Sequence, residues 1–198
     1  MLDQYQKTAA LAAFDALNAQ DPRKVITTDG EQPYELIYGY RMSEALATFA
    51  PDASPALQLA ARAQHLERWK IPRDQYPQDR IGYLKWRNDL KVYHAERASN
   101  ILRVLNVGEE LIARVAFLLQ KKQLRKDPET QSLEDVICLV FLQYYAATFA
   151  QAHPVEKVID ILRKTWGKMS DEGQAAALVL ALPPTVEELV QKALNEAD

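Results

Sequence analysis

The sequence predicts an all-α protein folded as a single-domain helical bundle. Alanine and leucine are abundant and only 6 of the 198 residues are glycine, a composition that favours helix over sheet. The first 20 residues place apolar side chains at helical spacing. A hydrophobic share of 48% and a charged share of 26% are typical of globular proteins. A chain of this length can bury one core and is short for two.

Three helices are predicted in the first third of the chain, at about residues 3–19, 33–49 and 54–69. Asp-Pro and Asp-Gly pairs between the first two helices predict a loop there. Pro33 suits the first turn of the second helix, where its missing N–H leaves no bond unmade. The sequence PDAS then predicts a turn, with Asp52 or Ser54 as the N-cap of the third helix.

The segment 71–82 is predicted to be a loop because Pro72, Pro77 and Gly82 prevent a continuous helix. Its many hydrogen-bonding side chains indicate part of a functional site rather than a plain connection. A fourth and a fifth helix should follow, at about residues 83–105 and 108–124.

In the second half of the chain, Ser132 is predicted to cap a sixth helix, with Asp135 at the third helical position in the spacing of a capping box. Pro154 should interrupt this helix near its end, and a seventh helix should run to about Trp166. A short apolar helix and a last helix after a Pro-Pro pair complete the predicted bundle.

Composition and charge argue against several classes of protein. One cysteine allows no disulfide framework and fits a reducing cytoplasm, the predicted location. The N-terminus lacks the basic-then-apolar pattern of a signal peptide. The longest charge-free stretch, from Val136 to Val155, contains too many polar residues for a bilayer span, so a buried helix and no membrane association are expected. A net charge of −3 argues against non-specific nucleic-acid binding.

A basic segment rich in aromatic residues and histidine covers residues 61–97. It holds two of the three histidines, two of the three tryptophans and nine basic residues against five acidic ones, which gives it a charge of +4 in a chain of −3. This pattern predicts a pocket for a small anionic or phosphorylated molecule, because guanidinium groups bind phosphate and carboxylate bidentately. The candidate substrate-binding residues are Arg62, Arg68, Trp69, Arg87 and Lys91, with Lys122 from the end of the fifth helix.

Two imidazoles and a carboxylate are the candidate metal ligands. His65 and His94 lie in different predicted helices, and Asp135 opens the most apolar one. Such a set commonly binds a divalent transition metal, which can activate water for hydrolysis. No HExxH or CxxC motif accompanies it. Two structural alternatives stay open: Asp135 as a helix cap, and the arginines as surface residues paired with nearby acids.

Three long segments carry a family resemblance. They are RAQHLERWKIPRDQYPQDRIGYLKWRNDLKVYHAERASNIL, LLQKKQLRKDPETQSLEDVICLVFL and VEKVIDILRKTWGKMSDEG. With these segments, over about residues 14–182, the chain resembles the domain-of-unknown-function 4202 family. The family name implies no activity.

A second resemblance concerns the order of three helices. The run AQHLERW resembles a helix that ends in a His-Asp pair and places His65 on its histidine. HAERASNIL resembles a later helix and gives His94, and SLEDVICLV resembles a final aspartate helix and gives Asp135. In this order the chain is similar to the HD-domain metal phosphohydrolases, which implies an HD-like fold, a bound metal and hydrolysis of a phosphorylated molecule.

The chain departs from the HD pattern at two positions. Leu66 stands where the aspartate of the pair is expected, and Tyr38 where the first histidine is expected. Glu67 lies one residue beyond the aspartate position, and together with Asp135 it is a candidate catalytic residue.

Three functions therefore compete. The first is a metal-assisted phosphohydrolase acting on a nucleotide or another small phosphorylated molecule, with Arg62, Arg87 and Lys122 holding the phosphate. The second is a module that has lost metal ligands and binds an anion or nucleotide without hydrolysing it. The third is an adaptor that contacts RNA or protein through its interleaved aromatic and basic residues.

Overall fold

The computed structural model describes residues 2–195 and confirms the all-α class. The chain divides into two compact units, unit 1 (Met1–Gln123) and unit 2 (Leu124–Asp198). The single domain predicted from the sequence stays a prediction.

Unit 1 contains five helices and a β-hairpin among its described residues. Their bounds are α1 (Gln4–Asn18), β1 (Lys24–Thr27), β2 (Gly30–Pro33), α2 (Tyr34–Phe49), α3 (Pro55–Ala63), α4 (Arg80–Val104) and α5 (Glu109–Leu119). Helix α3 lies at the centre, packed against α1, α2 and α5, and α4 packs against α5. Because α3 is surrounded on several sides, its Leu59 and Ala60 are fully buried. Burial of one leucine side chain contributes roughly 2 kcal/mol to folding.

Polar caps explain where three of these helices begin. The Asp3 carboxylate accepts from the Gln6 backbone N–H, and the Gln6 side-chain oxygen accepts from the Asp3 backbone N–H, so α1 begins with a capping box. The Ser54 hydroxyl accepts from the Leu57 N–H, which confirms the predicted cap of α3. The Asp79 carboxylate accepts from the Gly82 N–H at 2.7 Å, so α4 begins at Arg80, earlier than predicted.

The third helix is shorter than predicted, because α3 ends at Ala63 rather than near Trp69. Glu67 has a φ of 53°, a left-handed conformation that an α-helix does not allow. The chain therefore turns after α3 and continues as two short 3-10 turns, Arg68–Lys70 and Arg73–Gln75, before α4. His65 and Arg68 therefore lie outside α3.

The predicted loop between the first two helices is a β-hairpin. Strands β1 and β2 pair antiparallel, with Val25 opposite Gln32 and Thr27 opposite Gly30. Gly30 adopts a φ of 93°, which suits glycine at the end of a two-residue turn. The Asp-Gly pair therefore marks a hairpin, and the prediction of a loop over these residues was wrong.

Unit 2 is helical throughout its ordered elements, with bounds α6 (Pro128–Val140), α7 (Ala146–Gln151), α8 (Val155–Trp166), α9 (Asp171–Leu178) and α10 (Pro184–Asn195). One π-helical turn, Phe141–Tyr145, joins α6 to α7. The resulting segment Pro128–Gln151 is long and apolar enough to cross a membrane by length and composition, a test that core helices also pass, and 50% of its most apolar window is buried.

The cap of α6 is Asp127 and not Ser132, so that prediction was wrong. The Asp127 carboxylate accepts from the Thr130 backbone N–H at 2.9 Å, and Pro128 occupies the first helical position. Ser132 lies one turn inside the helix, where its hydroxyl donates to the Pro128 carbonyl. Asp135 consequently lies in the second turn of α6 and not at its head.

Replacing Asp127 with alanine should lower the free energy of unfolding by about 1 kcal/mol, because the Thr130 N–H loses its partner. Chemical denaturation followed by circular dichroism measures this change. Ser132→Ala is the matched control and should stay within about 0.5 kcal/mol of the wild type. A larger loss in Ser132→Ala than in Asp127→Ala would contradict the assignment.

Candidate functional site

His65 forms the centre of a polar cluster in unit 1. It lies in the turn after α3, with its ring stacked on Tyr38 of α2 at 3.9 Å between centroids. Its Nδ1 lies 3.1 Å from Glu35 Oε2, and its Nε2 lies 3.3 Å from the guanidinium Nη1 of Arg68. The imidazole therefore joins a carboxylate on one side to a guanidinium on the other. We call Glu35, His65, Arg68 and His94 the histidine site.

Glu35 is 1% exposed and owes its position to the hairpin. The hairpin ends at Pro33, and the Tyr34 N–H donates to the Arg23 carbonyl, so the start of α2 lies beside the residues that precede β1. The Arg23 guanidinium donates to Glu35 Oε1 at 2.7 Å. Asp21, also buried, accepts from the Glu35 backbone N–H at 3.1 Å. Glu35 was not among the site residues predicted from the sequence.

The cluster fixes the protonation state of His65. Burial lowers the pKa of His65 well below its usual value, and the positive charges of Arg68, Lys121, Arg87 and Arg23 lower it further. The imidazole is therefore neutral near neutral pH. Its partners assign the tautomer: Nδ1–H donates to the Glu35 carboxylate, and Nε2 accepts from Arg68.

Burial also raises the pKa of Glu35 above its usual value, although the charge of Arg68 and the hydrogen bond from Arg23 act in the opposite direction. The raised pKa of Glu35 and the lowered pKa of His65 have the same physical origin. Both groups have lost water, and the charged form of each is the more expensive form in a dry environment.

The guanidinium of Arg68 makes few hydrogen bonds to the protein. Within residues 2–195 its side chain makes one hydrogen bond, to His65, and no carboxylate lies within ion-pair distance. Its guanidinium carbon lies 4.6 Å from the centroid of the Trp86 ring, and the Trp86 indole is anchored by donation to the Ile71 carbonyl at 2.8 Å. The nearby Glu35 carboxylate attracts this guanidinium without forming a direct ion pair with it. A partly buried guanidinium that is oriented but makes no direct ion pair is a ready partner for an anion.

His94 of α4 completes the site. Its ring centroid lies 6.1 Å from that of His65, and His94 is 3% exposed. Nδ1 lies 2.8 Å from the Leu66 carbonyl, which only accepts, so Nδ1 carries the proton. Nε2 is a buried acceptor without a partner in the described residues. A buried polar atom without a partner costs about 1–3 kcal/mol.

The neutral form of His94 is strongly favoured. Its pKa is lowered to about 3, because burial and the nearby His65 and Arg68 together outweigh the raising effects of the Leu66 carbonyl and Glu35. The Nε2 atom therefore stays an acceptor across the physiological range.

Three other predicted binding residues add positive charge or lie nearby. The charge of Arg87, on α4, lowers the pKa values of His65 and Arg68, and its guanidinium donates to the Tyr83 hydroxyl at 3.2 Å. Lys91 lies on α4 one turn before His94, and Trp69 lies partly buried in the 3-10 turn that contains Arg68. The structure thus brings His65, Arg68, Arg87 and His94 together.

Three predicted residues of unit 1 have other surroundings. Arg62 pairs with Asp15 of α1 at 3.2 Å and lies over the Tyr40 ring. Lys122 has an exposed side chain beyond the end of α5. Glu67 is buried and binds both Lys70 and Arg97; burial alone would raise its pKa, but these hydrogen bonds hold the pKa below its usual value.

Asp135 belongs to unit 2, where it joins α6 to the start of α9. Its carboxylate accepts from the Ser170 backbone N–H at 2.8 Å, the Ser170 hydroxyl at 2.7 Å and the Gln131 amide at 3.0 Å. Burial raises the pKa of Asp135 although these donors act against the rise. A Cβ at Gly173 would lie 2.6 Å from this carboxylate, so the contact requires glycine there. These hydrogen bonds hold α6 against the start of α9, which gives Asp135 a structural role.

The donor atoms do not form a set that fits the metal implied by the HD resemblance. Across residues 2–195, no three His, Cys, Asp or Glu side chains are placed to hold a metal ion. His65 Nε2 faces a guanidinium rather than an open position. The predicted metal stays a prediction.

The fold and the site define an all-α protein whose first unit carries two neutral imidazoles, one buried and one partly buried, beside a guanidinium that makes no direct ion pair. The model of the family described as Domain of unknown function (DUF4202) matches residues 8–190. The chain therefore belongs to the DUF4202 family, which confirms the first of the two resemblances. No curated protein and no solved structure matches the chain significantly. The similarity to HD-domain phosphohydrolases stays a prediction.

Proposed function

We propose that the protein binds a small anion, the phosphate or carboxylate group of a small molecule, at the guanidinium of Arg68. The observation that supports this is the state of Arg68: partly buried, oriented by His65 and Trp86, and without a carboxylate at ion-pair distance in the described residues. A guanidinium removed from water in this way gains more from an anion than one on an open surface.

The surroundings of Arg68 support the same proposal. Arg87 and Lys121 add positive charge around His65, whereas Arg23 is paired with Asp21 and with Glu35, the buried acid in contact with His65. Because His65 is neutral, it orients Arg68 without cancelling its charge. A site of this kind favours anions over cations.

The metal-assisted phosphohydrolase with an HD-like fold is the second candidate. One observation favours it: each imidazole donates Nδ1–H to an oxygen, Glu35 for His65 and Leu66 for His94, as metal-bound histidines do. The positive charges around His65 act against a bound cation.

A small-molecule ligand, rather than nucleic acid, and a cytoplasmic location form part of the proposal. The net charge of −3 and the single cysteine support them.

Arg68→Gln should weaken the binding of inorganic phosphate, pyrophosphate or adenosine monophosphate at least about tenfold, because the anion loses a charge-assisted hydrogen bond. Isothermal titration in the presence of a chelator measures this, and anion-induced thermal stabilisation gives a second readout. Arg68→Lys keeps the positive charge but loses the bidentate guanidinium, so its anion affinity should lie between those of the wild type and Arg68→Gln.

The matched control is Arg103→Gln, which removes an exposed guanidinium paired with Glu109 and should leave anion binding unchanged. Equal affinity in the wild type and Arg68→Gln would contradict the proposal. Phosphoester hydrolysis that depends on added divalent metal and on both histidines would favour the second candidate instead.

A further inference from the structure

We propose that His94 makes this site selective for phosphomonoesters and inorganic phosphate over sulfate and phosphodiesters, because its Nε2 accepts a hydrogen bond from a protonated phosphate oxygen. The inference rests on the proposed anion site at Arg68 and adds to it the chemical class of the ligand.

The first step is the state of His94 Nε2. The bond from Nδ1–H to the Leu66 carbonyl fixes the tautomer, so Nε2 presents a lone pair and no proton. The residue is 3% exposed, so water does not readily satisfy that lone pair. Buried polar atoms are nearly always paired in folded proteins, and this one has no partner in the described residues. A ligand that carries a hydrogen-bond donor supplies the missing partner.

The second step is the position of His94 relative to Arg68. The rings of His94 and His65 lie 6.1 Å apart, and His65 Nε2 lies 3.3 Å from Arg68 Nη1. Arg68 and His94 are thus both neighbours of His65, and the charge of Arg68 acts on His94. In the proposed complex the unprotonated oxygens of the anion accept from Arg68, and its protonated oxygen donates to His94 Nε2.

The third step is the chemistry of the anions. A phosphomonoester loses its second proton near pH 6, so at that pH about half of it carries one P–OH group. Inorganic phosphate also carries a P–OH group at pH 6. Sulfate and phosphodiesters carry none, and their oxygens would direct a lone pair at the Nε2 lone pair. A site that contains a buried hydrogen-bonding group rejects a ligand that leaves this group unpaired.

Net charge alone predicts the opposite preference. At pH 6 sulfate carries more negative charge than inorganic phosphate, so a site that attracts anions by positive charge alone binds sulfate better. A preference for phosphate over sulfate at pH 6 would therefore indicate the hydrogen bond to His94, because the positive charge of the arginines favours sulfate.

Titration calorimetry at pH 6 in the presence of a chelator tests the inference with four probes: inorganic phosphate, sulfate, methyl phosphate and dimethyl phosphate. In the wild type, phosphate should bind at least about tenfold more tightly than sulfate, and methyl phosphate similarly more tightly than dimethyl phosphate. In His94→Gln both ratios should fall towards one, because the glutamine amide can donate to an unprotonated oxygen. Arg103→Gln is the control and should keep the wild-type ratios.

The outcomes separate this inference from the proposed function. Equal binding of phosphate and sulfate that still depends on Arg68 overturns the role of His94 and leaves the anion site in place. Absence of binding by all four probes, or binding independent of Arg68, overturns both. Because the comparison of phosphate with sulfate uses the wild-type protein, it remains decisive if His94→Gln fails to fold.

Discussion

Replacing Glu35 with alanine is expected to lower the free energy of unfolding by about 3 kcal/mol, at the lower end of the range for breaking a buried charged pair. The carboxylate is buried and binds both the Arg23 guanidinium and His65 Nδ1. Its removal leaves the His65 N–H without an acceptor and several positive charges without their buried counter-charge. Arg23 keeps its bond to Asp21 and is 46% exposed, which limits the loss. Urea denaturation at pH 7.5 measures the change.

Two further variants identify the cause of this loss. Glu35→Gln keeps the shape and one acceptor oxygen, so its loss should be smaller than that of Glu35→Ala. Glu109→Ala removes a 69% exposed acid from an ion pair with Arg103 and should cost less than about 1 kcal/mol. If Glu35→Ala and Glu109→Ala prove equally mild, Glu35 is not the buried counter-charge of the histidine site.

Local sequence signals predicted those helices whose ends are set by nearby residues. The spacing of apolar residues and local caps or breakers led to α1, α2 and α8 with errors of a residue or two. The end of α3 was missed because residues 64–70 contain good helix formers. The left-handed turn at Glu67 depends on partners distant in sequence: its N–H donates to the Asn18 side chain, and its carboxylate binds Arg97. No local pattern reports such contacts.

The missed hairpin explains why Glu35 was missed. A β-hairpin signal was present in VITTDGE, where an Asp-Gly pair follows β-branched residues. Interpreted as a loop, this segment gave no reason to bring Arg23 close to Glu35. Interpreted as a hairpin, it places the residues before β1 beside those after β2, and an acid in the first turn of α2 then becomes a partner for Arg23.

Local sequence signals indicated part of the histidine site and missed the rest. Histidine content and local charge pointed to the segment that contains His65, Arg68 and His94, three residues that the structure brings close together. They did not distinguish the unpaired Arg68 from Arg62, whose partner Asp15 is 47 residues away. Pairing across helices decides which guanidinium remains available, and one sequence does not record that pairing.

His94 is expected to make the protein sensitive to acid. Its pKa is about 3 in the folded protein and about 6.5 when unfolded, so the unfolded state binds more protons below pH 6.5. The stability contributed by the neutral imidazole is present above pH 6.5 and is lost progressively as the pH falls towards 3. Between pH 8 and pH 5 this single group should lower the free energy of unfolding by about 2 kcal/mol.

Urea denaturation at several pH values, performed on the wild type and His94→Gln, isolates this contribution. Other groups titrate in the same range: burial lowers the pKa of His65 and raises that of Glu35, and these two shifts act in opposite directions on stability as the pH falls. Both proteins share these groups, so the difference between their profiles reports His94. The wild type should lose about 2 kcal/mol more than the variant between pH 8 and pH 5. Parallel profiles would show that His94 binds protons equally in both states and is not buried in the neutral form.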